Sequence, residues 1–315
     1  MKSVHPVSII LPVYADWPSL KVCLDALMQH IDTDVHRVLL INDAGPKASE
    51  LEVNIKHAIT GQKNYYYYSN KLNLGFLGNC NHAVLDVDKT NNDILLLNSD
   101  TQVTAGFLDE MIDVLYGDKK LGAVSPRSNN ASIATLPLWS AVKKGIEPDK
   151  SYAFYKSISP KMPRYTIAPV VHGFCMLIRR QCIKKYGLFD PIFGKGYGEE
   201  VDFCLRIAQG GWLVAFCNHA YVFHMEARSF GSEQKGRLMD EHNKIIWQRY
   251  PSYRQAVRDY MEHEVPFEQS LEPTALLHPS IRIKRTLRKV IRYNPLVHKV
   301  AREVHRIVLG PERSR

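Results

Sequence analysis

Five strand-length apolar runs alternate with helical stretches through residue 126, and this alternation limits the possible folds more than any other feature of the chain. The runs are VSIIL (7–11), HRVLLIND (36–43), NYYYYS (64–69), DILLLNSD (93–100) and LGAVSP (121–126). Between them, residues 17–29 place Leu20, Leu24, Leu27 and Met28 at helical intervals, and 48–59, 79–87 and 107–116 read as further helices. Strands that alternate with helices pair in parallel, and strands with almost no polar positions belong to a sheet covered on both faces. The expected class is therefore α/β, a doubly wound, mostly parallel sheet with helices on both faces and a helical extension at the C-terminal end.

Beyond residue 126 the pattern changes. Residues 127–166 are rich in Pro, Ser and Asn with few periodic signals, and a long irregular segment inside a compact domain is often functional. APVVHGFCMLIRR (168–180) reads as one or two strands, YGLFDPIFGKGYGEE (186–200) as a glycine-rich turn, and VDFCLRIAQ (201–209) as a helix stopped by Gly210 and Gly211. WLVAFC and YVFH read as two strands, and residues 233–262 as helices. The expected organisation is a main domain over 1–230, a helical extension over 231–263, a linker over 264–280 and a tail over 281–315.

Charge separates the tail from the rest. Residues 281–315 hold eleven Lys/Arg and two acids, which accounts for the whole net charge of +9. The tail's apolar residues, among them Ile281, Leu287, Val290, Ile291, Val297, Val300 and Val304, recur at helical spacing. A basic amphipathic helix of this kind suits an anionic membrane surface. Packing on the main domain, or a homodimer contact, is the alternative. Nucleic acid is not expected, because no aromatic-basic motif accompanies the charge. No apolar run approaches the ~20 residues that cross a bilayer, and the start of the chain reads as a first strand rather than a signal peptide. The six cysteines are scattered without a CxxC pair, as in reduced thiols of a cytoplasmic protein.

Three acidic features fall where an open sheet would expose them. Asp43 ends the second strand, Asp100 ends the fourth, and Glu199-Glu200 open a late helix. Each has a simpler explanation, as a turn former or as a complement to a helix N-terminus. Together they place carboxylates beyond several strand ends, in the crevice where α/β sheets bind ligands.

The order of these motifs resembles the family 2 glycosyltransferases, with their GT-A type, Rossmann-like fold. VSIILPVYADWPSLKVCLDAL resembles the family's opening, VLLINDAGP its second-strand acidic motif, and NLGFLGNCNHAV its Asn-x-Gly-Phe segment. LLLNSDT resembles the DxD-type motif with Asn98 in place of the first Asp. GFCMLIRR, GLFDPIF and GYGEEVDFCLRIAQGGW resemble the acceptor-side block and the catalytic acidic pair. The likeness runs from residue 6 to about 230 and is greatest to the rhamnosyltransferase-like bacterial branch that builds surface polysaccharides.

The resemblance implies an inverting transfer of a sugar from a UDP- or dTDP-sugar to a hydroxyl of a glycan or lipid-linked saccharide. It would take place on the inner face of the cytoplasmic membrane, in a cytoplasmic, peripheral protein. A divalent cation, Mg2+ or Mn2+, would neutralise the departing diphosphate, because hard cations take oxygen ligands. Asp100 and His224 are the implied metal ligands, and Asn98 offers a neutral oxygen or a hydrogen bond to the donor. Pro12, Tyr14, Asp43 and Asn73 are implied at the base and ribose, and Gly75 lets the backbone pass close to the ligand. Glu200 is the implied general base and Glu199 the second choice. Asp202 either orients the acceptor or caps its helix. Arg206 pairs with phosphate or with a neighbouring acid, and Trp212 is an acceptor platform or a core residue.

Two other classes compete. A nucleotidyltransferase would carry a Gly-rich, basic loop after the first strand, where this chain has PVYADWPS. A non-catalytic nucleotide-sugar binding protein would not need the acidic set. A dehydrogenase is disfavoured because no GxGxxG follows the first strand.

Overall fold

The computed structural model describes residues 5–138, 147–194, 196–225 and 232–271, with the side chains of 232–235 left aside. The basic tail over 281–315 lies outside the described residues. The elements in chain order are β1 (Val7–Val13), α1 (Trp17–His30), β2 (Arg37–Asn42), α2 (Ala48–Ala58), β3 (Tyr65–Ser69) and α3 (Gly75–His82). They continue with β4 (Asp93–Leu97), β5 (Thr101–Val103), α4 (Phe107–Gly117), β6 (Leu121–Arg127), α5 (Pro148–Ile158), β7 (Tyr165–Ala168) and β8 (Cys175–Ile178). The last are α6 (Arg180–Tyr186), α7 (Glu199–Gln209), β9 (Leu213–His224), α8 (Ser232–Arg249) and α9 (Tyr253–Leu271).

Local chemistry explains the first units. Asp16 caps α1 by accepting from the Ser19 amide at 3.3 Å, and a proline in the first turn suits a position with no intrahelical partner. The helix then buries Leu20, Cys23, Leu24, Ala26 and Leu27 against the sheet. All five residues of β4 are buried, as a strand covered on both faces requires.

The strands lie in the order β3-β2-β1-β4-β8-β6-β9-β5, with β7 also paired to β9. The block β3-β2-β1-β4 is parallel throughout, as its apolar strands predict. β8 enters antiparallel to both β4 and β6, and β5 and β7 run antiparallel to β9. Because β6 and β9 are parallel to each other, six strands share one direction and three oppose it. The chain steps from β1 outward to β2 and β3, then returns to the other side of β1 as β4. This reversal makes a crevice at the strand ends. Pairing of β1 with β4 stops at Ile10↔Leu96, whereas β1 follows β2 as far as Val13↔Asn42. Pro12, which has no amide to donate, therefore costs no bond on the β4 side.

Two boundaries differ from the sequence reading. WLVAFC and YVFH belong to one strand, β9, whose pairing jumps from Pro126↔Cys217 to Arg127↔Tyr221. The polar interruption between them is a bulge, and buried Asn218 there accepts from Arg127 Nε at 2.8 Å. Residues 264–271, expected in a linker, continue α9 despite Pro266 inside it. The helix persists because Val257, Met261 and Val265 pack on the core and Glu268 is wholly buried. The six cysteines are free and buried, as expected of reduced thiols. Among the described residues no helix is long and apolar enough to cross a membrane.

Candidate active site

The loop after β2 sets the first part of the site. Asp43 is buried, and its amide donates to the Val13 carbonyl at 2.9 Å, tying this loop to the end of β1. Its Oδ1 accepts from the Leu74 amide at 2.8 Å and from Asn70 Nδ2 at 2.9 Å. Burial pushes the Asp43 carboxyl above its ordinary value, against those hydrogen bonds. Asn73 donates to the Asp43 carbonyl at 3.0 Å and accepts from the Gly75 amide at 3.2 Å, so its side chain braces the 70–75 loop. Tyr14 stands half-exposed on the rim. A Cβ at Gly45 would lie 2.1 Å from the Tyr14 carbonyl oxygen and 2.8 Å from its ring, so only glycine allows this approach.

The end of β4 supplies the second part. The Asn98 amide donates to the Phe174 carbonyl at 2.8 Å, and the Asn98 carbonyl accepts from Thr101 Oγ1 at 2.7 Å. Asn98 Oδ1 is buried without a hydrogen-bond partner, which is costly unless a ligand meets it. Asp100 Oδ1 lies 3.5 Å from His224 Nε2, because β5 and β9 pair Thr101 with His224. His224 Nδ1 is 2.7 Å from the Asn130 carbonyl, which can only accept, so Nδ1 carries a proton and Nε2 is the ring nitrogen that faces Asp100. A metal-ligating histidine is commonly oriented in this way. Among the described residues no group of three or more His, Cys, Asp and Glu could hold a metal ion. Asp100 and His224 thus fit a cation only if further oxygens come with the ligand, as a diphosphate would bring them.

The third part is the start of α7. Gly198, at φ +107°, turns the chain into the helix, and Glu199 and Glu200 follow. Glu199 is buried with its Oε2 unpartnered. Burial, and then the charge of Glu200, push its carboxyl well up. Burial also acts on Glu200, but the nearby His172 ring, together with amides of the helix start, outweighs it and leaves the Glu200 carboxyl lowered. His172 Nδ1 lies 3.8 Å from Glu200 Oε1. Burial and local contacts thus push these two neighbouring carboxyls in opposite directions.

Residues 172–174 join the second and third parts. His172 faces Glu200, a Cβ at Gly173 would lie 3.7 Å from Glu200 Cβ, and Phe174 stacks on His224 with ring centroids 5.1 Å apart. Ser125 Oγ donates to the His172 carbonyl at 3.0 Å and fixes this segment to β6. Cys80 of α3 joins the first and third parts: burial raises its thiol, and the carboxylates of Glu199 and Asp43 raise it further.

Three expected residues sit elsewhere. Asp202 is fully buried and accepts from Arg206 Nε (3.1 Å) and Nη2 (2.9 Å), Arg249 Nη1 (2.8 Å) and Tyr250 Oη (3.0 Å). These bonds leave Asp202 no capacity to orient an acceptor. Arg206 pairs with this neighbouring acid and also donates to the Tyr186 and Leu188 carbonyls, so it braces α7 rather than a phosphate. Trp212 precedes the first residue of β9, at the opposite strand ends from Asp100, and packs partly buried on the core. Sequence reading missed His172, Asn129 and Asn130. The polar pair at 129–130 inside an irregular segment was the available signal for the asparagines, and a histidine between an apolar run and a glycine was the signal for His172.

Among curated proteins, the N-acetylglucosaminyl-diphospho-decaprenol L-rhamnosyltransferase of Mycobacterium tuberculosis, in strains CDC 1551 / Oshkosh and ATCC 25618 / H37Rv, is 26% identical over 165 residues. That stretch is 47% of this chain and 52% of the relative, so the chain spans about half the length of the curated relatives it matches. Among solved structures, the mannosyltransferase PcManGT from Pyrobaculum calidifontis, in complex with GDP-Man and Mn2+, has a TM-score of 0.57 at 14% identity. That alignment covers 97% of this chain and 88% of the other. GalNAc-T7 with UDP, GalNAc and Mn2+ has a TM-score of 0.56 at 14% identity, covering 83% of this chain and 55% of the other. At these identities the two structures show a shared GT-A fold. The glycosyl transferase family 2 model matches residues 8–187, more than half of the 315 residues and the stretch that carries Pro12, Asp43, Asn98, Asp100 and His172; the chain belongs to glycosyl transferase family 2.

Proposed function

We propose that this chain is an inverting glycosyltransferase that moves a sugar from a UDP- or dTDP-sugar to a hydroxyl of a glycan or lipid-linked saccharide. The observation that carries the reading is the 172–174 segment, which neighbours Glu200 through His172 and stacks through Phe174 on His224, itself 3.5 Å from Asp100. Glu200 takes the proton of the acceptor hydroxyl as that oxygen bonds to the anomeric carbon, and the nucleoside diphosphate leaves from the opposite face. Direct attack of this kind inverts the configuration. Glu199 lies buried beside the base, and burial and the charge of Glu200 push its carboxyl up. Asp43, Tyr14 and Pro12 line the end of the crevice suited to the base and ribose, and Asn98 Oδ1 is an acceptor awaiting a donor hydroxyl or amide.

Asp100 and His224 would hold a divalent cation, Mg2+ or Mn2+, which when bound with the diphosphate offsets the charge of the leaving group. The relative named for a decaprenol-linked substrate supports a lipid-linked acceptor in surface polysaccharide synthesis, and hence work at the inner face of the cytoplasmic membrane.

The test is a screen of UDP-, dTDP- and GDP-sugars with Mg2+ or Mn2+, with and without EDTA, followed by product anomer analysis. Asp100→Ala and Glu200→Gln should each abolish transfer in a folded protein. Full activity in both variants, or a retained anomeric configuration, refutes the roles.

A further inference from the structure

His224 is held by residues far from it in sequence. Asn129 grips its backbone from both sides, its Oδ1 accepting from the His224 amide at 2.8 Å and its Nδ2 donating to the His224 carbonyl at 3.0 Å. The Asn130 carbonyl takes the Nδ1 proton. Both asparagines lie in a small closed loop: Ser128 N bonds Ala134 O at 3.2 Å, Leu136 N bonds Ser128 O at 2.8 Å, and Ala131 N bonds Thr135 Oγ1 at 2.8 Å. The two stems of that loop meet α9. Glu268 Oε2 accepts from the Leu138 amide at 2.8 Å, and its other oxygen lies 4.0 Å from Arg127 Nη1. Arg127 is wholly buried, bonded to Asn218, within 3.4 Å of the Tyr260 hydroxyl and 3.9 Å from Glu264.

We propose that Glu268 of α9, acting through Arg127 and the 128–138 loop, is a positioning residue that sets the ring of His224 against Asp100. This rests on the reading of Asp100 and His224 as the cation-holding pair. A buried carboxyl is costly to keep unless something depends on it, and Glu268 holds one stem of the loop by a hydrogen bond to Leu138 and faces the other across the 4.0 Å to Arg127. Helix α9 lies wholly beyond the residues matched by the family model, so the site would depend on a part of the chain outside that match.

The test uses the full chain. Glu268→Ala removes both contacts, Glu268→Gln is isosteric and keeps one acceptor, and Asn129→Ala cuts the same path at its far end. The 15N signals of the histidine rings are recorded without metal, with His224 assigned by its loss in His224→Gln. Wild type should show the Nδ1-protonated ring. Glu268→Ala and Asn129→Ala should lose that form, and Glu268→Gln should shift in the same direction by less. Mn2+ binding with UDP present should weaken by about tenfold in Glu268→Ala and in Asn129→Ala, and by no more in the double variant, since one path is cut twice. An unchanged His224 signal in both Glu268 variants, or in Glu268→Gln alone if the Ala variant does not fold, overturns the proposal, as does additive weakening. Unchanged Mn2+ affinity in His224→Gln, with the ring signals still shifted by the Glu268 variants, overturns the cation reading and upholds the positioning one.

Discussion

Asp202 offers the largest effect that can be worked out from the geometry. Its carboxylate is fully buried and accepts four bonds, three of them from guanidinium groups. Charged hydrogen bonds contribute roughly 1.5–3 kcal/mol each, so a plain count would reach about 6–12 kcal/mol. That count is too high, because Arg206 is 24% exposed and Arg249 34% exposed, and water re-solvates both when the acid is gone. Breaking a buried pair from one side costs about 3–5 kcal/mol, and the exposure of the arginines puts Asp202→Ala near the lower end, at about 3 kcal/mol. A domain of this size loses roughly 2–4 °C of Tm per kcal/mol, so the melting point should fall by about 10 °C. Asp202→Asn keeps the shape and one acceptor oxygen and should fall less. Urea unfolding gives the free energy, and steady-state kinetics separate bracing from acceptor contact. A brace lowers kcat by loosening the Glu199–Glu200 turn while the acceptor KM stays within about twofold. A loss under about 0.5 kcal/mol, the size of an ordinary surface change, would refute the reasoning, and so would a large rise in acceptor KM in Asp202→Asn.

Glu199→Gln should alter the pH dependence of stability. Burial and the Glu200 charge hold the folded carboxyl above its unfolded value, so its contribution is present at low pH and is lost as pH rises toward the folded value. Between about pH 5 and pH 8 the variant should lose less unfolding free energy than wild type, and parallel curves would show that Glu199 is not raised. His172→Ala should move the acid limb of kcat/KM to higher pH: burial already pushes Glu200 up, and the variant removes the ring whose proximity pulls it down. An unmoved limb would assign it to another group. Gly45→Ala should cost about 1–3 kcal/mol and raise the donor KM, because its methyl would meet the Tyr14 carbonyl; a variant with wild-type Tm and KM would mean the loop yields freely.

The parts of the site that were legible in sequence are those whose chemistry is local. Asp43, Asn98 and Asp100 each follow an apolar strand, and a strand end fixes where the next side chain points within a residue or two. The same logic recovered the parallel block around β1. It could not give the direction of β8, because an apolar run has the same composition whichever way it enters the sheet. Residues 264–271, expected in a linker, are kept helical by the buried contacts of α9 despite Pro266. Arg206 had two partners at plausible spacing, and only the fold chose the acid four residues before it.

What sequence could not give is the set of contacts that hold the reactive groups in place. Glu268 reaches Leu138 across 130 residues, Asn129 reaches His224 across 95, and Arg249 reaches Asp202 across 47. None of these pairs has a periodic signature, since each depends on two distant segments meeting at the correct depth. Their arrangement is nonetheless systematic. Helix α8 meets the Glu199–Glu200 turn, through His242 on the Tyr197 carbonyl at 2.7 Å and Arg249 on Asp202, and α9 meets the loop that grips His224. The acidic pair and the histidine lie past the end of the family match, as do the helices that brace them. The proposed donor side of the site thus lies within the family match, while the helices that brace the acidic pair and the histidine lie beyond it. On the proposed roles, exchanging α8 and α9 for those of a relative should disturb kcat before it disturbs donor binding, since Asp43 and Asn73, proposed at the donor, are held by contacts within the first 75 residues.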